Sequence, residues 1–107
     1  MADKSRSYYK TVEPGTIDTD QVVIPSGETW EMRNWILSAS PVKDTEVSVC
    51  FDYGEASEMV LAMTHSTLSH DRIKEVTGDG VKILAIILKN NNTDSVFLGA
   101  EFSARDV

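Results

Sequence analysis

Period-two alternation of apolar and polar residues is the clearest pattern along this chain. In Val47-Ser48-Val49-Cys50-Phe51-Asp52-Tyr53 the odd positions are apolar, while Ser48, Cys50 and Asp52 face the other way. That is the mark of a half-buried strand with one wet face. The stretch Val96-Phe97-Leu98-Gly99-Ala100-Glu101-Phe102 alternates with its even positions inward. Val81 to Leu88 is apolar at nearly every position, which suits a central strand covered on both sides or one whose outer face meets another subunit. Turn residues separate these runs. Thr77-Gly78-Asp79-Gly80 is expected to close a hairpin between residues 72–76 and 81–89, and Asn90-Asn91-Asn92-Thr93-Asp94 to do the same before the final strand. Pro14-Gly15, Pro25-Ser26-Gly27, Ser40-Pro41 and Tyr53-Gly54-Glu55 mark the other corners. About eight strands follow, near residues 7–12, 20–24, 28–39, 45–53, 58–64, 70–76, 81–89 and 95–103. Turn signals every dozen or so residues are the spacing of an antiparallel sandwich or barrel. No 3,4-spaced apolar stripe persists beyond two turns. Glu58 to Met63 holds good helix formers and is nevertheless read as a strand.

Both tryptophans fall within one strand-length. Along Glu28 to Ala39 the even set is Trp30, Met32, Asn34 and Ile36, and the odd set is Glu31, Arg33, Trp35 and Leu37. The apolar face therefore swaps from even to odd near Asn34-Trp35-Ile36. One extra residue in a β-bulge would flip the facing of everything after it; a strand bending between two sheets would do the same. Either way both rings can enter the core. The sharper alternative leaves Trp35 on an exposed face, where an aromatic anchors a protein interface or stacks on a sugar.

Composition narrows the classes. The 107 residues make one domain, 41% hydrophobic and 25% charged, as in ordinary globular proteins. The longest apolar run, Ile83 to Leu88, falls far short of the roughly 20 residues that cross a bilayer, so no membrane association is expected. The N-terminal sequence lacks the apolar core of a signal peptide, and a single cysteine, Cys50, precludes an internal disulfide. Both suit a protein made in a reducing cytoplasm. The net charge of -7 repels phosphate backbones, which disfavours nucleic acid as a partner. Residues 1–10 are locally basic, with Lys4, Arg6 and Lys10 against Asp3. They read as an arm able to dock on the acidic body of a neighbouring subunit, or as a frayed terminus.

Catalytic patterns are missing. His65 and His70 sit five apart, a poor fit to metal-ligand pairs on a strand or helix, and no cysteine lies nearby to complete a zinc site. Ser69-His70-Asp71 holds the residue types of a hydrolase triad, but triad members converge from separate elements, and no nucleophile elbow accompanies them. Asp52, Glu55 and Glu58 around Gly54 offer carboxylates for calcium, without an EF-hand spacing; an acidic surface loop is the expectation. There is no phosphate-binding glycine motif. Asn91-Asn92-Thr93 fits a glycosylation sequon and is read as turn residues. Cys50 is expected to be a buried, inert thiol. The chain is therefore read as non-enzymatic and without a cofactor or metal.

The stretch Val23-Ile24-Pro25-Ser26-Gly27-Glu28-Thr29-Trp30 is an apolar pair, a Pro-x-Gly turn and a long strand opening on an acidic residue and an aromatic. It resembles small all-β virion proteins of tailed bacteriophages, and the closing LKNNNTDSVFLGAEF is similar to their Asn- and Thr-rich endings. The resemblance implies a jelly-roll-like β-sandwich over residues 13–107, preceded by an arm or first strand over 1–12. It also implies a structural role in the virion, made in the host cytoplasm: capsid decoration (cement), or a small neck or tail subunit. Expected partners are the chain itself, as a trimer or higher, and other virion proteins. Tyr8, Tyr9 and Lys10, with Trp35, are the expected interface, residues 7–12 reaching across or beginning the first strand of their own domain. The alternative is a glycan-binding module with a platform from Trp30, Trp35 or Tyr53; with eight aromatics in all, most are needed for the core.

Overall fold

The computed structural model describes residues 3–40, 44–64 and 73–107. Eight strands run along them: β1 (Arg6–Val12), β2 (Thr16–Val23), β3 (Thr29–Ser40), β4 (Thr45–Phe51), β5 (Met59–Met63), β6 (Lys74–Thr77), β7 (Ile83–Asn90) and β8 (Val96–Asp106). They form two four-stranded antiparallel sheets, ordered β1-β8-β3-β6 (sheet A) and β2-β7-β4-β5 (sheet B). Among these strands only β4 and β5 are neighbours both in sequence and in a sheet; every other connection crosses from one sheet to the other. That order is the jelly roll, two Greek keys wound into a sandwich.

The crossings correct two expectations. Residues 77–80 close no hairpin, because β6 pairs with β3 while β7 pairs with β2 and β4. The Gly78 N–H instead donates to Glu28 O at 2.9 Å and the Gly80 N–H to Ile24 O at 3.1 Å, so the segment packs on the 24–28 turn and carries the chain between sheets. Residues 90–94 likewise hand the chain from sheet B to sheet A. There Asn90 is fully buried: its Nδ2 donates to Val12 O and Asp94 O, both at 2.9 Å, and its Oδ1 accepts from Asn92 N at 2.8 Å.

The core is what the alternation implies. Val47, Val49 and Phe51 of β4, Leu84, Ile86 and Leu88 of β7, and Val96, Leu98, Ala100, Phe102 and Ala104 of β8 meet between the sheets. Strand β7 is central and apolar on both faces, its outer Ala85 and Ile87 forming a small second cluster with Cys50. In β3 the register shifts between Arg33 and Ile36, with Asn34 at φ 57. This is the bulge. Trp30 and Met32 point inward before it and Trp35 after it, because the extra residue restores the inward face. Both tryptophans are thus core, 3% and 7% exposed, with Trp35 tilted against Phe102 at 5.1 Å between centroids. Of the two readings of the tryptophans, the one that buries both holds, and the alternative of an exposed Trp35 at an interface is corrected.

Strand β1 pairs with β8 of its own chain from Arg6–Phe102 to Val12–Val96, and the pairing extends outward through an Asp3–Arg105 bridge. It is an edge strand, as is β2 of the other sheet. Arg6 reaches Asp20 at 2.8 Å and Lys10 reaches Asp18 at 3.3 Å, with half-buried Tyr8 packed on the core between them. Charges turned inward along paired edges are a device that discourages strand addition.

Candidate interaction face

The outer face of sheet A is assembled from three strands. Odd positions of β8 point outward because even ones fill the core, and β1 in its register presents Ser7, Tyr9 and Thr11 beside them. In β3 the bulge turns Ile36 and Ser38 to the same side. Cross-strand rows result: Thr11–Phe97, then Tyr9–Gly99–Ser38, then Ser7–Glu101–Ile36, then Ser103–Arg33 and finally Asp3–Arg105–Glu31.

Three large apolar side chains on this face stand in solvent. Phe97 is 57% exposed, Ile36 50% and Tyr9 36%. The Tyr9 ring lies over Gly99, occupying the place a side chain would take there. It is nearly parallel to Phe97, at 13° with centroids 6.2 Å apart, a geometry favourable for aromatic pairs. Burial, and then hydrogen bonding to Glu101, raise the Tyr9 hydroxyl above its ordinary value of 10.0, with Ser38 acting in the opposite sense. Beside this pair a shallow hollow of about 330 Å³ opens over Ser7, Asn34, Ile36, Glu101 and Ser103. The far end of the face is charged. Glu31 accepts from both Arg33 and Arg105, interactions that hold its carboxyl below the ordinary value against a smaller cost of burial.

The expected site residues are thus divided. Tyr9 is on this face. Tyr8 and Lys10 lie on the opposite side of β1, at the closed edge. Trp35 is inside. The sugar platform is also dismantled: Trp30 is buried, its Nε1 donating to Glu28 at 2.8 Å with Lys4 over its ring at 5.6 Å. Tyr53 is half-buried against the Cys50 cluster on sheet B. Phe97 and Ile36 were passed over in the sequence, although their signal was present: each is a large apolar residue on the outward side of a strand whose other side is filled.

Other candidate chemistry is bland. Burial first, then hydrogen bonding to Glu58, push the Cys50 thiol up to about 11, so it stays protonated at neutral pH. The Asp52 carboxylate accepts from Ser57 Oγ, and no group of three metal-ligating side chains occurs among the described residues. His65 and Ser69-His70-Asp71 lie outside the described residues. No helix among the described residues is long and apolar enough to cross a membrane.

No family model matches this chain, and no curated protein does. Among solved structures it is similar to a de novo designed double-stranded β-helix determined by solution NMR. The two share 17% identity over 95% of this chain and 99% of that one, at a TM-score of 0.35. A score that low leaves the topology to be read from strand pairing alone.

Proposed function

We propose that this chain is a non-enzymatic assembly subunit of a phage virion, a capsid decoration (cement) protein or a small neck or tail subunit, acting through oligomeric protein contacts. The observation that carries the reading is the exposed Tyr9–Phe97–Ile36 face. Large apolar groups that a domain leaves in solvent together, rimmed by polar residues, mark interaction surfaces. The jelly-roll order supports it, being a recurrent build of capsid domains. So does size, since a domain of this length has little core to spare and gains stability from association. Contact through a sheet face also agrees with the closed β1–β2 edge.

The test is solution mass by light scattering across a dilution series, with retention on purified virion proteins as a second arm. Removing residues 1–10 is unsuitable, because it deletes most of β1; single surface substitutions replace it. The reading expects masses above the 11.8 kDa chain or retention on a virion partner. A chain that stays single at every concentration and binds no virion protein overturns it. A glycan-binding reading keeps one supporting observation, the exposed Tyr9–Phe97 pair beside a polar hollow. It predicts that a sugar panel perturbs tyrosine absorbance; no response from any sugar removes it.

A further inference from the structure

We propose that β1 is a strap, opening as a unit about a fixed root at Val12, and that ionic strength sets how firmly it is shut. Opening carries Tyr9 off Gly99 and unpairs the edge of β8 along Phe97–Phe102. Its bearing on association rests on the assembly reading; the strap itself does not.

The root is pinned. Val12 is fully buried, and its carbonyl accepts from Asn90 Nδ2 at 2.9 Å. Just beyond it the Gly15 N–H donates to Asn90 O at 2.8 Å. Ahead of Val12 the hold is of another kind. The positions of β1 turned towards the opposite sheet are Arg6, Tyr8, Lys10 and Val12, and those of β2 are Asp18, Asp20 and Val22, in register with Ile86 and Leu88 of the core. Charge thus stands where β8 has apolar side chains, and Tyr8 is only half-buried. Backbone pairing holds β1 on one side alone, along β8.

What joins β1 to sheet B is therefore electrostatic. Lys4 reaches Glu28 at 3.4 Å, Arg6 reaches Asp20 at 2.8 Å and Lys10 reaches Asp18 at 3.3 Å. These are all the cationic side chains of residues 1–10, and every partner lies on β2 or in the turn after it. The wider field acts the same way. Residues 1–10 carry three cations against one carboxylate while the whole chain carries -7, so a basic strap lies on a strongly acidic body.

Salt then has opposite effects on the two parts. In the body like charges repel, and screening relieves them. At the strap unlike charges attract, and screening weakens them. From 10 mM to 1 M NaCl the Debye length falls from about 30 Å to about 3 Å. One exposed ion pair shifts an equilibrium by roughly two- to fivefold, so three half-covered pairs together shift the opening of β1 by about tenfold.

Amide hydrogen exchange, resolved by NMR at one fixed pH, tests this on the chain alone. In 10 mM NaCl the β1 amides paired with β8 are expected to exchange faster than those of the central strand β7. In 1 M NaCl the β1 amides quicken about tenfold, while β7 stays level or slows. Asp20→Asn quickens β1 several-fold in low salt, and Arg6→Asp combined with Asp20→Arg restores its protection. Glu55→Gln, in the loop beside the far edge of sheet B, makes the same change of charge and leaves β1 as in wild type. Circular dichroism melts confirm that each variant is folded. Amides of β1 that exchange only together with β7, or that slow with it in salt, overturn the strap and leave the assembly reading as it stands. Equal effects of Asp20→Asn and Glu55→Gln overturn the role of the ion pairs. The expected pattern in a chain that never associates supports the strap and removes only its bearing on assembly.

Discussion

Replacing Gly99 with alanine puts a methyl group where the Tyr9 ring now lies. The added carbon would overlap Cγ, Cδ1 and Cε1 of that ring, so the ring has to leave. Tyr9 sits on an edge strand and is 36% exposed, which gives it room to swing out without moving backbone. Of a tyrosine's roughly 200 Å² about two-thirds is covered, and rotation off Gly99 re-exposes about half of that, worth about 1.5 kcal/mol at ~25 cal/mol/Å². The interaction with Glu101 goes too, costing about 1 kcal/mol. Against this, alanine is better than glycine in a strand by up to about 1 kcal/mol. The balance is a loss of about 1.5 kcal/mol, or about 7 °C in Tm for a domain of this size.

The titration of Tyr9 gives a second readout. Its hydroxyl is raised above 10.0 by burial and by Glu101, so the folded state favours the protonated phenol. The stability this contributes is complete below pH 10 and is lost as pH rises through the higher folded value. In Gly99→Ala both causes weaken, and one tyrosine returns towards the ordinary value in an ultraviolet titration. Thermal melts followed by tryptophan fluorescence give the stability. If the variant melts at or above the wild-type temperature with unchanged tyrosine titration, the placement of the ring over Gly99 is wrong.

Other perturbations test the frame that holds this face. Asn90→Ala removes three hydrogen bonds from a fully buried side chain; a loss of about 3 kcal/mol in urea titration is expected, and a loss under about 1 kcal/mol would show the hub to be dispensable. Asn34 stands at φ 57, so Asn34→Gly is expected to leave stability within about 0.5 kcal/mol, whereas Asn34→Val loses about 2 kcal/mol because a β-branched residue resists that conformation. Equal melts for the two would contradict a left-handed bulge residue. Glu28 and Glu31 have folded carboxyls below the ordinary 4.5, through hydrogen bonds led by Trp30 and Arg33 respectively. Their contribution is present above pH 4.5 and lost as pH falls below it. Glu31→Gln is therefore expected to flatten the acid limb of a stability–pH curve, and an unchanged limb would count against the Arg33–Glu31–Arg105 group.

Much of the face was legible residue by residue, because the signal is local. Whether a strand position points in or out follows from a two-residue period, so Phe97 on an outward position and the slip at Asn34-Trp35-Ile36 both stand in the sequence. The reading that places both tryptophans in the core stands, and the alternative of an exposed Trp35 fails. The bulge restores an inward face for Trp35, and a large ring beside Phe102 is more stable buried than wet.

Alone, then, the sequence determined an all-β domain of about eight strands, the inward faces of the 47–53 and 96–102 runs, a change of face near Asn34-Trp35-Ile36, the apolar centre of β7 and the acidic surface; that the change of face is a bulge came from the register of β3 and β8. It did not determine which strands pair. Thr77-Gly78-Asp79-Gly80 and Asn90 to Asp94 specify backbone freedom at a bend, and the same freedom serves a hairpin or a crossing between sheets. The choice falls to the crossing because each strand's apolar side has to be covered by the opposite sheet, a condition met only by the chain as a whole. That choice puts β1 beside β8, and Tyr9 beside Phe97 and Gly99. The most accessible aromatic pair on the molecule is made by the two ends of the chain, and only the tertiary structure brings them together.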